Sequence, residues 1–110
     1  MVTMVEFQNL ACNATEDSGS DGDEIDLRFN DNTFWRGQMK GGRLTAINVI
    51  VPFPGSTGIV KMLEDDAPFG EESLGSQTIR ASEINQGSHH VFFLEQGANY
   101  DLEYRVRDIP

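Results

Sequence analysis

A chain of 110 residues with 38% hydrophobic residues, including seven Phe, two Tyr and one Trp, suffices for one domain with a continuous core, residues 1–110, and not for two. The lone Cys12 rules out an internal disulfide, and no Cys/His set has zinc-finger spacing. A formal net charge of −10 argues against nucleic acid or bare anionic membrane as a direct partner, since both would be repelled, and makes cations the natural ones.

Met1 to Leu10 lacks the basic start and apolar run of a signal peptide, and no stretch approaches the roughly 20 apolar residues of a membrane span. The expectation is a soluble chain without a transmembrane segment, its compartment left open. Val2 to Cys12 is apolar-rich with partial alternation and predicts a first strand, with Cys12 packed in the core. Thr15 to Asp23 (TEDSGSDGD) is all turn formers and acids, a loop with no apolar anchor. Ile25, Leu27 and Phe29 then alternate with Asp26, Arg28 and Asn30, so a half-buried strand leaves that loop. Asp31-Asn32 predicts a turn into Phe34-Trp35, and Gly41-Gly42 a hairpin before the β-branched run Thr45 to Val51.

Pro52 to Gly58 breaks the chain, and Ile59 to Leu63 predicts a short strand running straight into Glu64-Asp65-Asp66. Glu71-Glu72 closes this second acidic loop before strand character resumes from Leu74 to Ile79. Ser82 to Gly87 reads as a helical turn. Val91 to Leu94, and then Tyr100, Leu102, Tyr104 and Val106 alternating with charged residues, complete about eight strands. With no sustained 3.6-residue period in competition, the fold class is all-β: an antiparallel, eight-stranded, two-sheet sandwich with Greek-key connections.

The acids are unevenly spread. Six fall between Glu16 and Asp26 and five between Glu64 and Glu72, 11 of the 18 in two short segments that both abut strand ends. Calcium takes six to eight hard oxygen ligands, which carboxylates on flexible loops supply, so two acidic loops converging at one end of a sandwich define a candidate calcium site. The first loop is not an EF-hand: with Asp17 at position one, position three is Gly19 and position twelve is Arg28 instead of a bidentate Glu.

The arrangement resembles the calcium- and lipid-binding C-two domain of protein kinase C and synaptotagmin. That family's first calcium loop runs from an Asp through a Gly into Ser-Asp and a strand, and Asp17 to Ile25 is similar, with Asp17 and Asp23 in the ligand places. Its later loop follows an apolar strand with Asp-x-Asp and, six residues on, a further acid before an apolar-Gly pair; Glu64-Asp65-Asp66 and Glu72-Ser73-Leu74-Gly75 keep that spacing. The resemblance implies a metal-ligand set of Asp17, Asp23, Glu64, Asp66 and Glu72, with calcium as the cofactor and Asp21, Asp65 and Glu71 as surrounding charge. It departs from the family where Glu stands for Asp at positions 64 and 72, and where the Asn-Pro-x-Trp segment is missing. Phe69, between the ligands of the second loop, is the apolar residue placed to touch a membrane or partner.

Other residues carry less chemistry. His89 and His90 point to opposite faces of a strand and cannot chelate one ion together. Trp35 reads as a core or rim aromatic. No nucleophile elbow, phosphate loop or Ser-His-Asp set is present, so the expectation is a non-enzymatic calcium-binding interaction module reaching phospholipid or another protein through the ion. The alternatives are a metal-independent structural or adaptor domain and a calcium-dependent lectin-like module.

Overall fold

The computed structural model describes residues 2–16, 22–65 and 70–110. Eight strands follow one another: β1 (Val2–Ala14), β2 (Asp23–Phe29), β3 (Asn32–Met39), β4 (Leu44–Pro52), β5 (Thr57–Asp65), β6 (Glu71–Arg80), β7 (His89–Phe93) and β8 (Asn99–Ile109). Their alternation is direct: along β8, Tyr100, Leu102, Tyr104 and Val106 are buried while the residues between them are not. The predicted helical turn is a single 3-10 turn, Ala81–Glu83, which begins one residue earlier than the sequence suggested and is shorter. No helix among the described residues is long and apolar enough to cross a membrane.

The strands form two four-stranded antiparallel sheets, β4-β1-β8-β7 and β3-β2-β5-β6, packed face to face. Phe7 of β1 joins them: its fully buried ring stacks on Phe34 at 4.0 Å and meets Phe29 edge-on at 5.8 Å, both from the other sheet. Leu10, Leu27, Met62, Leu74, Phe93 and Leu102 extend this core along the sandwich with no solvent exposure, and Cys12 lies among them as expected. Trp35 lies at its margin, partly buried.

Two turns differ from the sequence reading. Asn30 and Asp31, with φ of 49° and 69°, form the two-residue β2–β3 turn, one position earlier than expected; both central residues need positive φ, which Asn and Asp tolerate. Gly41-Gly42 does not make a hairpin: β3 and β4 belong to different sheets, so the turn crosses the sandwich. It is held by β1 instead, through Gly42 N–H donating to Cys12 O at 2.7 Å and Cys12 N–H donating to Arg43 O at 2.9 Å.

This topology puts the β1–β2, β3–β4 and β5–β6 connections at one end. Gly22 fixes the first where it meets the third strand, with φ of +75° and its Cα so close to Met39 that an added Cβ would stand 2.1 Å from the carbonyl oxygen.

Candidate metal centre

On β2 the inward face carries Asp23, Ile25, Leu27 and Phe29. Across the ladder Ile25 pairs with Glu64 of β5, and Glu64 in turn pairs with Glu72 of β6. Directly paired residues share a face, so Glu64 and Glu72 point inward with Asp23 where the hydrophobic core gives out. Glu64 is 2% exposed and Glu72 half-buried. Two like charges directly opposite on neighbouring strands repel each other.

The β1–β2 connection adds a third carboxylate, Glu16. One oxygen each from Glu16, Glu64 and Glu72 lie within 4.8 Å of one another, and Glu16 Oε2 is buried with no hydrogen-bond partner among the described residues. Donors to a calcium ion held at about 2.3 to 2.6 Å stand at most about 5 Å apart, so the separation and the hard oxygen chemistry both fit such an ion. Sequence reasoning passed over Glu16 because it precedes the matched loop pattern; its place at the very start of the acidic run was the available signal.

Asp23 is braced at the base of this set and is completely buried. Its Oδ2 accepts the Tyr100 hydroxyl at 2.6 Å and the Glu16 backbone N–H at 2.8 Å. Burial raises the Tyr100 phenol far above its ordinary range, and the Asp23 hydrogen bond raises it further, so this hydroxyl is a permanent donor. Tyr100→Phe should therefore destabilise the fold by about 1–3 kcal/mol, the cost of leaving a buried acceptor short of its donor, measurable by urea denaturation. Asp17, Asp66 and Phe69, and the surrounding Asp21, lie outside the described residues. Asp65 is exposed, and Glu71 turns outward to an ion pair with Arg28 at 2.9 Å.

A second acidic position, Asp26, serves the fold. It is 3% exposed on the outer face of β2, where it accepts from Thr33 Oγ1 at 2.8 Å and pairs with Arg28 at 2.9 Å and Arg36 at 3.3 Å. Burial pushes its carboxyl up, but the Thr33 and Arg28 hydrogen bonds and the two guanidinium charges outweigh that and hold it below the usual carboxylate range. A folded-state pKa below the unfolded one means stability present above about pH 4 and lost as pH falls through the folded value. Urea midpoints at neutral and acid pH should show wild type losing more on acidification than Asp26→Asn, which has already lost this contribution.

No protein-family model matches the chain, and no curated protein matches it in sequence. Solved structures of similar fold exist. The chain superposes on the C-two domains of extended synaptotagmin 2 with a TM-score of 0.62 and 18% identity, over 96% of its own length and 40% of that chain. A C-two domain of plant extended synaptotagmin 1 gives 0.54 at 8% identity, covering 96% and 92%. Human group IVD cytosolic phospholipase A2, solved with an inhibitor and terbium chloride, gives 0.57 at 9% identity, over 97% of this chain and 17% of that one. The chain is a C-two-like β-sandwich, as its acidic-loop spacing and the placement of those loops at strand ends led us to expect. It spans two fifths of the extended synaptotagmin 2 chain and about a sixth of the phospholipase.

Proposed function

We propose that this domain is a calcium-dependent interaction module. The observation that carries the reading is the meeting of Glu16, Glu64 and Glu72, carboxylates from both acidic segments, at one end of the sandwich. Asp23 supports the set from below, and Asp17 and Asp66, from the same two loops, complete the oxygen shell in this reading. The bound ion neutralises the cluster and presents open coordination positions to an acidic group on a phospholipid or a protein, with Phe69 as an apolar contact beside it. The module performs no catalysis itself.

The reading is supported by the chemistry of the donor set and by the C-two-like fold; the terbium chloride in the phospholipase structure supports it as a choice of probe. Terbium prefers the same hard oxygen donors and luminesces when a nearby tyrosine absorbs for it, and Tyr100 lies one hydrogen bond from Asp23. Terbium added to the domain should luminesce, and calcium should quench the signal by displacement. Magnesium should compete poorly, since it demands a tighter octahedral shell and gives up water reluctantly. Absence of sensitised emission together with no calcium effect on the melting temperature would leave the acids as solubilising surface and the domain as a metal-independent adaptor.

A further inference from the structure

The outer face of the β4-β1-β8-β7 sheet carries a second constellation, remote in character from the oxygen-only cluster. His90 of the edge strand β7 stands directly opposite Glu103 of β8 in the ladder. Its Nδ1 lies 2.6 Å from Asp101 Oδ1, a contact that holds the proton on Nδ1 and leaves the Nε2 lone pair outward. Nε2 faces Glu103 Oε2 at 3.9 Å, beyond hydrogen-bond reach. Glu103 is itself held, because Asn9 Nδ2 donates to its other oxygen at 2.8 Å. The pair opens onto a hollow of about 120 Å³ lined by Asn9, Ala11, Leu44, His90, Asp101 and Glu103.

We propose that His90 Nε2 and Glu103 Oε2 form a surface site for a divalent cation of the zinc type. A ligating histidine characteristically donates its other ring N–H to a carboxylate, which fixes the tautomer and raises the ring's basicity; Asp101 occupies that place here, and Asn9 does the equivalent for Glu103. Tetrahedral zinc, with Zn–N and Zn–O near 2.0 to 2.2 Å, holds adjacent donors about 3.4 Å apart, so a small rotation of either side chain closes the 3.9 Å gap. Imidazole selects zinc, copper or nickel over calcium, which separates this site from the acidic end. Water, or a side chain of a partner, fills the remaining positions over the hollow. The charged groups facing His90 are Asp101 and Glu103, both from β8, while β1 and β4 present neutral Asn9, Ala11 and Leu44.

The test is zinc titration of the whole domain in saturating calcium, read by calorimetry and by nitrogen NMR of the imidazole rings. The expected result is one zinc equivalent bound, with the His90 Nε2 resonance shifting and Nδ1 keeping its proton. His90→Ala and Glu103→Gln should abolish it, and Asp101→Asn should weaken it by about 10–100-fold. Glu64→Gln should leave it unchanged. His90, Asp101 and Glu103 lie on the solvent-facing side of the sheet and Glu64 is buried at the acidic end, and circular dichroism of each variant verifies the fold. The proposal is overturned if zinc moves only resonances at the acidic end, if His90→Ala titrates like wild type, or if His90 responds to pH and not to zinc, the mark of an ordinary imidazole–carboxylate pair.

Discussion

Calcium at about a hundred times its dissociation constant should raise the melting temperature of the wild-type domain by roughly 10 °C, and Glu64→Gln should remove most of that rise. Mass action on the folded form alone supplies about 2.7 kcal/mol at that ratio, and a domain of this size gains about 4 °C per kcal/mol. Glu64 is the sharpest test position because it is the most buried of the three clustered carboxylates and is paired directly with Glu72. The same substitution has the opposite sign without calcium. Gln keeps the shape of Glu while removing one of the crowded charges, so apo Glu64→Gln should melt at or above apo wild type. Scanning calorimetry of both proteins, with and without calcium, reads this crossing. A variant that is destabilised in both conditions would mean that Glu64 is a structural hydrogen-bonding residue, and equal calcium shifts in both proteins would remove it from the ion.

Phe7→Ala should destabilise the fold by about 3–5 kcal/mol, the range for deleting a buried aromatic side chain. The ring is fully buried, it belongs to one sheet, and its two aromatic neighbours, Phe29 and Phe34, belong to the other. Removing it leaves a cavity at the seam between the layers, where neither sheet can collapse without disturbing its own ladder. Against a total stability of about 5–15 kcal/mol, a loss of this size brings the domain near half-unfolding at the low end. Urea denaturation should show the midpoint falling with little change in slope; a loss under about 1 kcal/mol would mean that the sheets are joined elsewhere.

The sequence by itself determined the strand content and the placement of both acidic loops at strand ends, because both are local: a period-two pattern such as Tyr100 to Val106 can bury only one face of a strand, and runs such as Thr15 to Asp23 contain no apolar side chain. The spacing of the acids was equally legible, and with it the resemblance to C-two domains. Which sheet each strand joins was not. The turn at Gly41-Gly42 has the chemistry of a hairpin, yet its backbone groups bond to β1 and the chain crosses the sandwich, a choice made by the packing of layers far apart in sequence. The membership of the acidic cluster was decided in the same way. Glu64 and Glu72 are brought together by ladder register, Glu16, one residue before the matched pattern, is brought to them just past the end of β1, and Asp23 is turned toward Tyr100 by a contact between residues far apart in the chain. Charge can be counted along a chain, but which carboxylates face one another depends on register and on which sheet each strand joins, and those are set by burial of the whole core.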